Sequence, residues 1–236
     1  NQEERQVMDP TSDLYQFNAK YTIVFQSTHK LLEKYNFLPT SECGNLAKER
    51  LSFVRTICDS ISGKIIYYNY PEIGDSVFGS YQNKVESSFI YELRRINLGL
   101  MHLAQEFPNL FICDLSEVQA KCGRDFFFDS SIYVSTDMIL SIDALPIIAS
   151  RTLDIICAIE GKFKKCLIID LDNTIWGGVV GDDGWENIQV NHTLGIGKAF
   201  NEFQHWIKKL KNRGIIICVC SKNDEDKAKE PFVKNP

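Results

Sequence analysis

The chain contains no apolar run near the roughly 20 residues that a bilayer-crossing helix needs. Its first residues, Asn1-Gln2-Glu3-Glu4-Arg5, do not follow the basic-then-apolar pattern of a secretory leader. Both absences argue against membrane association and for a cytoplasmic protein. Positive charge is not in excess either: 26 Lys and Arg face 31 Asp and Glu, a formal net charge of -5. A nucleic-acid binder needs a basic patch to meet the phosphate backbone, so that class loses its main support. No Cys-x-x-Cys pair occurs among the eight cysteines, which removes the usual zinc signature. Cys113 in Leu110-Phe111-Ile112-Cys113 and Cys218 in Ile216-Ile217-Cys218-Val219 lie within apolar runs, where a free thiol acts as a small buried hydrophobe. The expectation is reduced, buried thiols.

What is present is an ordinary globular composition of 236 residues, 44% hydrophobic and 24% charged, enough for one large or two modest domains. Residues up to about 20 are polar and read as a loosely held lead-in. Residues 21–26 form a strand of strong β-formers. Ser27-Thr28-His29 follows its end, and His29 is a catalytic candidate without an evident partner in the sequence. Leu46, Leu51, Val54 and Ile57 recur near helical spacing, with Gly63 as the stop. A strand at 64–70, a long loop from Pro71, a helix at about 87–106, a strand at 110–115 and a helix at about 143–160 complete the order. Strands alternating with helices predict an α/β domain with a parallel sheet covered on both faces, of the open doubly wound type, over residues 1–160.

Residues 161–236 begin a second such domain with the most informative stretch of the chain, Cys166-Leu167-Ile168-Ile169-Asp170-Leu171-Asp172-Asn173-Thr174. An apolar run ends in two carboxylates one residue apart, and alternation along an extended strand sends both to the same side. Two such groups repel unless a proton or a cation lies between them, and a hard, oxygen-preferring ion such as Mg²⁺ relieves the conflict. An acidic turn after a core strand is the plain alternative, since Asp and Asn are common turn residues. Beyond it lie a glycine-rich stretch without helical spacing at 176–190 and a helix at 199–210 with Phe200 and Trp206 in its core face. A strand then ends at Ser221, and a short helix follows, capped by Asn223 and limited by Pro231.

Asp170-Leu171-Asp172-Asn173-Thr174 resembles the first motif of the haloacid dehalogenase (HAD) superfamily. Trp176-Gly177-Gly178-Val179-Val180-Gly181-Asp182-Asp183-Gly184 narrows the resemblance to its FkbH-like branch, in subfamily IIIC. Ile216-Ile217-Cys218-Val219-Cys220-Ser221 is similar to the second motif. The resemblance implies that Asp170 is a nucleophile forming an aspartyl-phosphate and Asp172 a general acid/base. Both would hold Mg²⁺, with Thr174, Ser221, Lys222 and Asn223 as candidate phosphate-binding residues. It also implies a partial HAD domain lacking the later motifs, so residues 1–236 alone are expected to be inactive.

FkbH-like proteins are associated with removing phosphate from a phosphorylated three-carbon acid and placing the glyceryl group on an acyl carrier protein. These are the partners implied, with no nucleic acid and no membrane. Their N-terminal domain resembles the SGNH-hydrolase, flavodoxin-like fold. Gly74-Asp75-Ser76 is similar to that fold's nucleophile block, yet it follows an internal strand, and no Asp-x-x-His lies near residue 160. Residues 1–160 therefore read as non-hydrolytic. The alternatives are an SGNH-type esterase, or a binding module whose aspartates hold a cation without turnover.

Overall fold

A computed structural model describes residues 2–190 and 194–234. The chain divides into two compact units, Asn1–Glu160 and Gly161–Pro236. The fold is mixed α/β with short parallel sheets. Among the described residues, no helix is long and apolar enough to cross a membrane.

The first unit runs α1 (Gln2–Met8), α2 (Asp13–Gln16), β1 (Tyr21–Val24), α3 (Thr28–Asn36), α4 (Leu46–Ser60), β2 (Lys64–Tyr68) and α5 (Phe89–Glu106). It continues with β3 (Leu110–Cys113), α6 (Leu115–Cys122), α7 (Arg124–Phe127), α8 (Ser130–Thr136) and α9 (Leu145–Ile159). Its three strands are parallel in the order β1-β2-β3, with Ile23 beside Ile66 and Ile66 beside Phe111. The order carries no reversal, so this sheet is simpler than the doubly wound one expected. Alternation along β2 still serves two cores. Ile65 and Tyr67 join the cluster built by Val54, Ile57, Leu93 and Ile96 of α4 and α5. Ile66 and Tyr68 join Leu115, Val118 and Ile148 of α6 and α9.

Several readings need correction. Residues up to 20 are not a loose lead-in: α1 and α2 are tied by the Tyr15 hydroxyl to the Val7 carbonyl at 2.5 Å and the Ser12 hydroxyl to the Gln6 carbonyl at 2.6 Å. Residues 27–29 open a helix, with the Ser27 side chain accepting the His29 N–H as N-cap. Gly63 does not stop α4, which ends at Ser60 with Ile61 as its C-cap. A Cβ on Gly63 would lie 2.3 Å from the Ala19 carbonyl oxygen, so the residue is small because two backbones meet there.

The start of α4 lacks a side-chain cap of its own. Glu92 of α5, fully buried, supplies one from a distance: one carboxylate oxygen accepts the Ala47 N–H at 2.8 Å, and the other accepts Arg95 Nη1 at 2.6 Å. Its charge is tolerated inside the protein because both oxygens are used.

The second unit holds β4 (Cys166–Ile169), α10 (Val180–Asp183), α11 (Ile196–Asn212), β5 (Ile216–Val219) and α12 (Glu225–Lys234). β4 and β5 are parallel, with Ile169 beside Val219. A core of Ile169, Leu171, Ile175, Trp176 and Val180 packs against Phe203 and Ile207 of α11. Trp206 is not in that core. It is 50% exposed and stacks on Phe203 with ring centres 5.7 Å apart. Pro231 does not end α12 but lies buried within it. Three cysteines also depart from expectation: Cys166, Cys218 and Cys220 are exposed, and the first two sulfurs stand 3.6 Å apart on neighbouring strands.

Replacing Glu92 by Ala leaves the Ala47 N–H buried without an acceptor, and we expect a loss of about 1–3 kcal/mol. Denaturant unfolding checks this, with Arg95→Ala as a milder companion because Arg95 is half exposed. Equal stability of Glu92→Ala and the parent would show that the distant cap is idle.

Candidate active site

β4 ends at Ile169, and the chain then turns. The N–H groups of Thr174 and Ile175 both return to the Leu171 carbonyl, at 3.1 and 2.9 Å, and Asn173 takes a left-handed conformation at φ 54°. Asn tolerates that conformation better than most residues. Asp170 and Asp172 lie just past the end of β4, on either side of the residue whose carbonyl closes this turn. Leu171 between them is buried, while Asp170 is exposed and Asp172 partly so. Asp170 is exposed, with Oδ1 accepting the Leu171 N–H at 2.8 Å. The Cys220 N–H donates to the Ile169 carbonyl at 2.9 Å, which brings the end of β5 beside the end of β4.

Asp172 is the hub. Its Oδ1 accepts the Trp176 indole N–H at 3.0 Å and the Val180 backbone N–H at 3.1 Å, and its Oδ2 accepts the Asn223 amide at 2.6 Å. Partial burial pushes this carboxyl upward, but the Val180, Asn223 and Trp176 donors outweigh it and hold the group below the ordinary Asp range. The Asn223 Nδ2 and backbone N–H each also reach Ser221 Oγ at 3.2 Å. The structure thus joins Asp172, Ser221 and Asn223. Asn223 is not a helix cap: its side chain is turned to the carboxylate, and the Ala228 N–H returns to Asp224 instead. Lys222 is exposed and has no ion pair among the described residues. Thr174 enters through its backbone bond to Leu171.

Three contributors escaped the sequence reading: Trp176, the Val180 N–H and Gly181. Trp176 lies four residues after Asp172, a spacing open to inspection, but its indole could equally have faced the core alone. The glycine-rich stretch is built for close approach. Gly178 has φ 97°, and a Cβ there would sit 2.9 Å from Asp183 Oδ2, which accepts the Val179 N–H at 2.8 Å. A Cβ on Gly181 would sit 3.0 Å from Asn223 Oδ1. The flap closes through paired bonds between Gly177 and Gln189, with the helical turn α10 inside it.

Among the described residues, no three His, Cys, Asp or Glu side chains gather as a metal cage. The donors at the strand end are the two carboxylates, hard oxygen ligands that suit Mg²⁺, an ion that keeps several waters of its own. The set fits that ion, with Asp170 the more open of the two because each oxygen of Asp172 already accepts an N–H.

Residues 1–157 match the FkbH N-terminal domain family. The chain belongs to that family. A solved structure is similar along the whole chain: the N-terminal part of the protein BF1531 from Bacteroides fragilis, containing a phosphatase domain and complexed with Mg. It is 67% identical, with a TM-score of 0.93, and the match covers 100% of this chain and 63% of that one. No match was found among curated proteins. The FkbH-family chain thus spans less than two thirds of that neighbour's length.

The other sequence candidates lie in the first unit. Ser76 is exposed in a left-handed conformation, and its hydroxyl has no hydrogen-bond partner among the described residues. His29 packs against Phe128 and Tyr133, ring centres 5.2 and 5.3 Å away, and its buried Nδ1 has no partner among the described residues. Burial holds its pKa below the ordinary His value.

Two titrations follow. Trp176→Phe and Asn223→Ala should each raise the Asp172 midpoint, read from its carboxyl carbon by NMR; an unmoved midpoint in both would remove the hub. The folded state also prefers neutral His29. Its stabilising contribution is complete above the ordinary His pKa of about 6.5 and is lost as pH falls from there toward the depressed folded value. His29→Leu should flatten the stability profile in that window, measured by denaturation at stepped pH.

Proposed function

We propose that the protein is a Mg²⁺-dependent phosphatase or phosphotransferase of HAD type, working through an aspartyl-phosphate. The carrying observation is the pair of unlike carboxylates at the β4 end: an open Asp170, and an Asp172 fixed by three N–H donors. The likeness to a Mg-bound phosphatase-domain structure at 67% identity supports the same reading.

In this reaction Asp170 attacks phosphorus and the bond to the leaving oxygen breaks, the oxygen taking its proton from Asp172. Water then attacks the aspartyl-phosphate as Asp172 takes a proton back. Asp172 is held low in the absence of ligand, and a negative phosphoryl group beside it raises its pKa toward the value a proton donor needs. Ser221 Oγ and the Thr174 hydroxyl are suited to hydrogen-bond phosphoryl oxygens, and Lys222, exposed after β5, can add a positive charge. Mg²⁺, when bound, offsets the charge that gathers between phosphate and carboxylates. The finer reading is that the substrate is a phosphorylated three-carbon acid and that the glyceryl group passes to an acyl carrier protein. It rests on the FkbH-like motif, together with the first unit as an SGNH-like, non-hydrolytic domain.

Phosphate release from aryl phosphate and small phosphorylated acids, assayed in the intact protein with Mg²⁺ and after chelation, tests this. Asp170→Asn should be inactive though folded, and Asp172→Asn should lose about 10²–10⁴-fold, the usual worth of a general acid/base. Near-normal turnover by Asp170→Asn would sink the nucleophile assignment.

A further inference from the structure

At the carboxyl ends of β1 and β2, the first unit has two cavities that share Ser27 and Lys30. One, about 690 Å³, is lined mainly by apolar side chains, among them Phe25, Met138, Leu140, Leu145 and Ile148. The other, about 180 Å³, is lined by Lys30, Lys34, Arg50, Tyr70 and Glu4. Ligands of α/β proteins collect at this edge of a parallel sheet, in cavities of roughly 300–1,000 Å³ with a few fixed polar groups.

The cationic lobe is organised. Arg50 is 9% exposed, and its Nη1 donates to Gln26 Oε1 at 2.6 Å; the same oxygen accepts the Tyr67 hydroxyl at 3.0 Å and the Tyr70 hydroxyl at 2.8 Å. That leaves the guanidinium fixed in orientation, with Nη2 facing the Glu4 carboxylate at 3.8 Å. The lobe thus already meets a carboxylate of the chain itself, loosely. Lys30 pairs with Asp137 at 2.8 Å and Lys34 with Glu49 at 3.1 Å, both in exposed pairs of the kind that exchange readily. In the other lobe Phe25, Met138 and Leu145 are each more than a third exposed, although they line a concave surface.

We propose that this cleft binds a small organic acid with an apolar chain: the carboxylate sits among Arg50, Lys30 and Lys34, and the chain lies along Phe25, Leu140 and Ile148. Charge complementarity selects the acid, and the apolar lobe selects its body. All of the residues that line the site belong to the first unit.

Octanoate is a suitable probe, titrated against the intact protein by calorimetry and followed by methyl NMR, beside octan-1-ol and acetate. Octanoate should bind with a dissociation constant on the order of 1 mM or tighter and shift the Ile139, Leu140 and Ile148 methyls, with both controls at least about tenfold weaker. Ala149→Trp, which fills the apolar lobe, and the Lys30→Gln, Lys34→Gln pair should each weaken binding about tenfold, while Glu4→Gln, which removes the competing carboxylate, should tighten it. Ala149, Lys30 and Lys34 are exposed and Glu4 is partly so, and melting curves should stay close to the parent's. Octanol binding as well as octanoate, no effect of Ala149→Trp, or no saturable octanoate binding would each overturn the proposal.

Discussion

One carboxylate, that of Asp172, draws N–H donors from three separate points of the chain: the Trp176 indole, the Val180 backbone and the Asn223 amide. Each donor would otherwise need water or another acceptor in a place where little is available. Trp176 is 2% exposed, and a buried indole N–H left without a partner is costly. The same bonds bring the turn after β4, the glycine-rich flap and the segment after β5 to one point. Gly181 completes the fit, because any side chain there would press on Asn223 Oδ1. The motif Trp-Gly-Gly-Val-Val-Gly is thus a packing solution around a charge as much as a loop.

The first unit solves a similar problem around neutral amide side chains. Where β1 and β2 end, Gln26 Oε1 gathers the Tyr67 and Tyr70 hydroxyls and Arg50, all of them at least nine-tenths buried. At the end of β2, Asn69 accepts the Leu115 and Ser116 N–H groups and donates to Asp114, fastening the start of α6. Strand ends are where backbone groups lose their ladder partners, so side chains that can both donate and accept collect there. A rigid polar floor of that kind is also what a ligand cleft needs beneath it.

Much of this was legible. Residues 65–68 of β2 are a continuous apolar run and are buried, and α4 and α5 carry apolar residues at helical spacing, so burial and local pattern agree there; in β4 the run 166–169 is equally apolar, yet Cys166 and Ile168 are exposed. The short helices were legible in part and missed. α3 follows a Ser cap and spaces Leu31, Leu32 and Tyr35 on one side. α6 follows Asp114 with Glu117 three residues on, the pattern of a capping box. What no local pattern could reveal is pairing across distance. Glu92 caps a helix that begins 46 residues earlier in the chain, and Asn223 meets Asp172 across 51 residues. Each side chain has an ordinary local role available, a surface charge or a helix cap, and only the fold decides against it. Trp206 fails for the opposite reason: at the edge of the helix face, periodicity cannot say which large ring is covered.

The two carboxylates of the candidate site show how neighbours separate roles that spacing alone would leave equal. Asp170 and Asp172 stand one residue apart, yet the flap and Asn223 supply N–H donors to the second. Asp170 remains exposed, with a single backbone donor, on Oδ1, among the described residues, so its other oxygen can approach an electrophile or a hard cation without first breaking a bond to them. Asp172 has its charge fixed in place and its pKa held down, a state that suits a proton acceptor. A nucleophile must be free to move toward phosphorus, whereas an acid/base must stay in position through two proton transfers. The division of labour proposed for the reaction is therefore the one that the hydrogen bonds favour, and exchanging the two roles would require Asp172 to give up Val180, Trp176 or Asn223 before it could attack.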